Sequence, residues 1–165
     1  MNFSEYYKGS DKEQFLVKVE QIASLLGVAA DDLMAMFYIE SSVNPQAVNK
    51  YTGATGLIQF MPATAQALGT TTAALKEMSG TDQLDYVYAY LKPYVGKMNS
   101  VYDIYFAIFF PIAIGKPDNW ILQTNRLPAP LIAKQNPGYD LDRSGDITVA
   151  EVKRAIDTRL KKKRQ

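Results

Sequence analysis

The chain contains no cysteine and no histidine in 165 residues. Without cysteine there is no disulfide framework and no thiol nucleophile, and either redox compartment is compatible. Without histidine as well, a zinc amidase, a Cys/His amidase, an H-E-x-x-H protease and a Ser-His-Asp triad are unavailable in their usual forms. An excess of one charge is missing too: 18 Lys and Arg stand against 17 Asp and Glu, a formal net charge of +1. That balance gives no reason to expect a nucleic-acid partner. Long apolar runs are scarce. The run from Tyr105 to Ile114 spans about ten residues, whereas a membrane-crossing helix needs about twenty. Met1 to Phe15 holds no apolar core of signal-peptide type, so export by a cleaved signal is not expected. Chemistry driven by carboxylates, glycosidic cleavage included, stays open.

The length fits one domain, or one domain with a small appendage. The pattern is helical almost throughout. Ser10-Asp11-Lys12-Glu13 reads as a capping box, followed by Phe15, Val19, Ile22 and Leu26 on one face and a stop at Gly27. Further helices are expected after Asp31, Pro62, Thr71, Thr81 and Ser100, with Leu84, Val87, Tyr88 and Leu91 forming one stripe. No segment alternates cleanly as a strand, and only 51–60 leaves room for a short β-hairpin. Between Gly115 and Gly138, Pro117, Pro128, Pro130 and Pro137 interrupt regular structure, which reads as a wrapping connection.

Glu40 is the residue that breaks its own pattern. Asp31 or Asp32 suits the N-cap of a helix in which Leu33, Met36 and Phe37 form an apolar stripe. Glu40 takes the next place on that stripe. A carboxylate there is partly desolvated, and Asn44-Pro45 puts it near the negative end of the helix dipole. Both effects favour the protonated form, as a general acid requires. Downstream, Gly53-Ala54-Thr55-Gly56 permits a tight turn and close backbone approach to a ligand. Gln59 adds an amide that both donates and accepts, suited to N-acetyl and hydroxyl groups of a sugar.

The stretches ESSVNPQAVN and TGATGLIQFMPATA resemble the first two motifs of the lytic transglycosylase family related to goose-type lysozyme. The resemblance implies a mainly α, lysozyme-like fold over residues 1–115. It also implies that Glu40 is the catalytic acid/base and that Gln59 and Met61 line a sugar cleft. Gly53, Gly56, Leu57 and Pro62 match the remaining positions of the second motif. The third family motif, A-Y-N-A-G, has no close counterpart. Its place is taken by the run from Tyr105 to Gly115, which looks like the variant of phage-encoded members; Phe109 or Phe110 fills the Tyr position, or Tyr105 swings in. The expected substrate contacts are therefore Ser41, Asn49, Tyr51, Gly56, Gln59, Phe60, Met61, Tyr105 and Phe109.

Residues 116–165 carry a second motif. Asp140 to Glu151 has the spacing of an EF-hand loop, with Asp140, Asp142, Ser144, the Asp146 carbonyl and bidentate Glu151 as oxygen donors for Ca²⁺. Gly145 stands at the sharp turn and Ile147 is placed to plug the core, while Thr148 could act through water. Gln135-Asn136-Pro137-Gly138 excludes a regular entering helix, so one loop and one exiting helix are expected, with calcium in a structural role. That helix ends in Lys161, Lys162, Lys163 and Arg164, a basic end suited to a helix C-terminus or to anionic lipid or polysaccharide.

The expected activity is cleavage of the β-1,4 bond between N-acetylmuramic acid and N-acetylglucosamine in peptidoglycan, giving 1,6-anhydro-muramic ends with no cofactor for catalysis. The competing readings are a hydrolytic muramidase and a non-catalytic wall-binding or virion protein. No Asp or Glu lies between Glu40 and Glu77, which disfavours a locally encoded second carboxylate. A monomer is expected, either released through a membrane pore as a phage-type endolysin or carried in a phage particle.

Overall fold

The computed structural model describes residues 1–161. It is mainly α, as expected, and the chain forms two compact units, residues 1–104 and 105–165. The division falls inside a helix, ahead of the proline-rich connection.

The first unit begins with α1 (Lys12–Leu26), whose Phe15, Val19, Ile22, Ala23 and Leu26 are buried at helical spacing. Gly27 ends it in the left-handed region at φ 70°, and Val28 N–H returns to the Ala23 carbonyl at 3.0 Å. Helix α2 (Ala30–Ser41) buries a continuous block from Leu33 to Phe37. Its N-cap is Ala29, ahead of the expected Asp31 or Asp32. Both aspartates lie in the first turn, where the helix dipole favours negative charge, and Asp31 accepts hydrogen bonds from the Asn2 amide groups. Short helices α3 (Pro62–Ala67) and α4 (Thr72–Glu77) lead to α5 (Gly80–Leu91), which packs on α1 and is joined to it by Lys18–Asp85 at 2.8 Å. Helix α6 (Val101–Phe109) runs across the division.

The expected capping box at the start of α1 does not form. Asp11 occupies the N-cap without a side-chain cap bond. Its carboxylate instead accepts the Tyr7 hydroxyl at 2.6 Å and the Thr81 hydroxyl at 2.5 Å. Tyr7 is buried, stacks on Phe15 with ring centroids 3.9 Å apart, and accepts the Gly80 N–H at 3.0 Å. The buried phenol, which already accepts the Gly80 N–H, has no water to donate to, so it and the Thr81 hydroxyl claim the carboxylate ahead of an exposed helix start. Gly9 and Gly80 flank the ring closely enough that a Cβ at either would lie 2.5 Å from Tyr7.

The hairpin expected over 51–60 does not form either. Among the described residues there are no strands, only isolated antiparallel bridges such as Val48–Thr55 and Thr55–Phe60. Thr55 pairs on both sides, and left-handed backbone at Gly53, Gly56 and Gln59 curls the segment before a ladder can extend.

In the second unit, Leu122, Ile132, Tyr139, Ile147, Val149, Val152 and Ile156 are buried. A helix, α7 (Ala129–Gln135), precedes the acidic loop, which corrects the expectation of none. Pro128 and Pro130 sit at its cap and first turn, where a missing N–H is harmless, and only 136–138 is irregular. Helix α8 (Val149–Lys161) follows the loop. Lys161 is exposed at its end, and Lys162, Lys163 and Arg164 lie outside the described residues. Among the described residues no single helix is long and apolar enough to cross a membrane.

Tyr7→Phe should lower unfolding free energy by about 1–3 kcal/mol, since it leaves the buried Gly80 N–H unbonded. Burial opposes ionisation of Asp11, but the bonds from Thr81 and Tyr7 outweigh it and hold its pKa below the ordinary aspartate value. The stability this contributes is complete above about pH 4 and lost as pH falls through the lowered folded-state value. Melting curves of wild type and Asp11→Asn should therefore converge in acid. A gap that is constant from neutral to strongly acidic pH would remove the carboxylate from this role.

Candidate functional site

Glu40 sits half-buried in the last turn of α2, directly after the buried block that ends at Phe37. The helix stops by an unusual route. Ser42 and Val43 both take left-handed backbone, φ 55° and 58°, and return their N–H groups to Tyr38 and Phe37. A β-branched residue pays about 1–2 kcal/mol for that conformation, and burial of the Val43 side chain offsets it. Ser41 then ties the helix end to the glycine-rich segment. Its hydroxyl lies 3.1 Å from the Phe37 carbonyl and 3.0 Å from the Leu57 carbonyl, and it accepts the Asn44 N–H.

Residues 44–61 fold as a compact loop closed by its own polar groups. Asn49 Oδ1 accepts the N–H groups of Tyr51 and Thr52, and the Asn49 backbone exchanges bonds with Gly53 and Ala54. Gln59 Nε2 donates to the carbonyls of Ala47 and Gly56, each at 3.2 Å. The donor end of the expected sugar-binding amide thus braces the loop, while its carbonyl oxygen has no partner among the described residues. Met61 and Tyr51 are the open side chains, 46% and 87% exposed, with Lys50 over the Tyr51 ring at 5.1 Å. Phe60, expected among the lining residues, turns inward and meets Tyr90 edge-on. Gly56, expected to let a ligand approach, is itself approached by protein: a Cβ there would lie 2.5 Å from Gln83 Oε1.

Gln83 is the residue that sequence reasoning missed. It is fully buried on α5, accepts the Leu57 N–H at 3.0 Å, and donates to the carbonyls of Pro45 at 2.6 Å and Leu75 at 2.7 Å. One side chain therefore joins the loop after Glu40, the glycine-rich segment and the end of α4. A signal exists in the pattern: Gln83 interrupts the stripe of Gly80, Leu84, Val87 and Leu91 as Glu40 interrupts its own.

Tyr105 and Phe109 belong to the second unit. Tyr105 is buried with its hydroxyl against that of Tyr139, and the Phe109 and Tyr139 ring centroids are 4.9 Å apart. Tyr139 directly precedes the acidic loop. There, Asp140, Asp142 and Glu151 each present a carboxylate oxygen within 4.8 Å of the others. Arg143 and Gly145 adopt left-handed backbone at the turn, and Ile147 is fully buried as expected. Asp140 Oδ1 is buried without a hydrogen-bond partner among the described residues, so the donor set has an oxygen to spare for a hard cation. Ser144 turns its hydroxyl toward Asp146, and its bonds to Asp142 hold the Asp142 carboxyl below its ordinary pKa. Glu151 is also the third residue of a capping box with Thr148, accepting that N–H at 2.8 Å.

Among the described residues the loop is not paired with a second one. Leu122 N–H donates to the Ile147 carbonyl at 2.8 Å and Val149 N–H to the Trp120 carbonyl at 3.0 Å. The segment around Ile121 thus supplies the short antiparallel bridge.

Residues 19–108, more than half of the chain, match the family model of the Transglycosylase SLT domain. No curated protein matches the chain.

Gln83→Leu keeps the volume but strands one N–H and two carbonyls. It should cost roughly 2–4 kcal/mol in denaturant unfolding. A loss below about 0.5 kcal/mol, the usual scatter of surface substitutions, would show that the loop does not depend on this amide.

Proposed function

The chain belongs to the transglycosylase SLT family of peptidoglycan-cleaving enzymes, and on that footing we propose that it cuts the β-1,4 bond between N-acetylmuramic acid and N-acetylglucosamine with Glu40 as its single acid/base. Glu40 first gives its proton to the glycosidic oxygen as positive charge develops on the muramic C1. The resulting carboxylate then takes the proton of the C6 hydroxyl, whose oxygen closes on C1. A 1,6-anhydro ring forms, and no water is consumed. A half-buried carboxylate at the helix end, with Ser41 fixing the next turn onto the glycine-rich segment, supports this assignment.

The choice of anhydro closure over hydrolysis rests on the stretch after Glu40, which encodes no Asp or Glu before Glu77. Hydrolysis normally needs a second carboxylate to activate water or trap the intermediate. Asp82, Asp85 and Asp103 are the candidates that folding could bring to the site, and each has a local engagement: Asp82 with Ser79, Asp85 with Lys18, Asp103 with Asn99 and Ser100. The cellular setting that suits this chemistry is phage-type lysis or entry, with peptidoglycan strands as the partner.

For the acidic loop we infer a structural Ca²⁺, held by Asp140, Asp142, Ser144, the Asp146 carbonyl and Glu151. The spare buried Asp140 oxygen supports that fit. When bound, the ion would supply charge compensation to the loop and take no part in the cleavage.

Glu40→Gln should fold normally and lose at least about a hundredfold in wall-degrading rate, because the amide cannot carry the proton. Appreciable activity in a folded variant would dismiss Glu40 as the acid/base. Mass spectrometry of digests should find muramic ends lighter by one water than reducing ends. Reducing ends alone would make the enzyme a muramidase.

Calcium at about 100 times its Kd should stabilise the protein by roughly 2.7 kcal/mol, and Glu151→Gln should blunt the gain. Asp140→Asn separates ion binding from packing: it should be neutral or stabilising in chelator, yet gain little from calcium. Identical melting with calcium and with chelator in the wild type would reduce the loop to an acidic turn.

A further inference from the structure

Residues outside the family match build one wall of a cavity in the first unit. The cavity, about 740 Å³ and open to solvent, is lined by residues 6–11, 41–46 and 77–80, whereas the match begins at residue 19. That volume is within the range of about 300–1,000 Å³ common for ligand sites. Its wall includes Ser41, the residue after Glu40.

The groups left open in the wall define what it can bind. Both Asp11 carboxylate oxygens are taken, one by Tyr7 and the other by Thr81. The Tyr7 ring is buried against Phe15, and Tyr6, the other wall aromatic, is half-buried against Phe3 and Tyr38. A stacking platform for successive sugars is therefore not built. Exposed Ser42, Asn44 and Gln46 offer hydroxyl and amide groups. Two charges of opposite sign, Lys8 and Glu77, are exposed and form no ion pair among the described residues. A neutral N-acetylated glycan offers such a pair hydrogen bonds but no opposite charge. A peptide carrying both a carboxylate and an ammonium group satisfies both.

Resting on the peptidoglycan reading above, we propose that this cavity binds the peptide stem of the muramic acid undergoing cleavage, with Lys8 facing a stem carboxylate and Glu77 the ammonium of its diamino acid. A stem of four residues can extend about 14 Å from its sugar. That is enough to pass from a sugar at Glu40 to a cavity that Ser41, the next residue in the chain, helps to line.

The test uses the full chain and a free stem tetrapeptide, L-Ala–γ-D-Glu–meso-diaminopimelate–D-Ala, followed by amide chemical shifts. Saturable shifts confined to residues 6–11, 41–46 and 77–80 are expected. Lys8→Gln and Glu77→Gln should each weaken binding about three- to fivefold, as suits exposed charge pairs, and added salt should weaken it in wild type. No saturable shift, or binding indifferent to both substitutions, overturns the proposal. Cleavage of peptide-free glycan strands is measured in parallel and reports on the function alone. A chain that cleaves these strands but ignores the peptide retains its function and loses this site. A chain that binds the peptide at these residues but cleaves no glycan retains the site and loses the function.

Discussion

The Gln83 side-chain amide is where three separate stretches of backbone meet in the first unit. An amide buried in protein is costly unless every donor and acceptor finds a partner. Here the carbonyl oxygen takes the Leu57 N–H and the nitrogen serves the Pro45 and Leu75 carbonyls. The turn after Glu40 and the glycine-rich segment are therefore held against one rigid point on α5. Gly56 follows from the same contact, because the space its side chain would need is already filled by Gln83. A segment with no regular ladder of its own acquires a defined shape in this way.

The Tyr7–Asp11–Thr81 cluster works by the same rule elsewhere in that unit. It joins the stretch before α1 to the start of α5. Both clusters consist of a few polar groups whose hydrogen bonds are made inside an apolar setting, where such bonds are electrostatically stronger than in water. The loops after Glu40 and the stretch before α1 thereby each gain an anchor on α5 without any disulfide.

Helix positions were readable because burial at three- and four-residue spacing leaves a direct trace in the sequence, as in Phe15, Val19, Ile22 and Leu26. Glu40 and the acidic loop stand out in the sequence for a related reason: each places residues at odds with their surroundings in a fixed register. The hairpin over 51–60 was misjudged because Gln59, a non-glycine residue, takes left-handed backbone, which local propensity does not foresee. The capping box was misjudged because the claim on Asp11 comes from Thr81, 70 positions away. Phe60 was misplaced because aromatic character alone does not say whether a ring faces a ligand or Tyr90. Asn136 and Pro137 marked a break correctly, but the break is short enough for α7 to precede it.

The bridge between the acidic loop and the segment around Ile121 has a consequence for how the second unit would respond to the proposed ion. Paired EF-hands couple their loops through this same short antiparallel contact, so that filling one alters the other. Here the opposite side of the contact is a piece of the same unit, and among the described residues none of its carboxylates joins the acidic cluster. Titration would follow a simple hyperbola with a Hill coefficient of about one, since a single site has nothing to cooperate with. With the proposed calcium bound, such a loop would make a poor detector of small changes in calcium concentration and a serviceable clamp wherever the ion is constantly abundant.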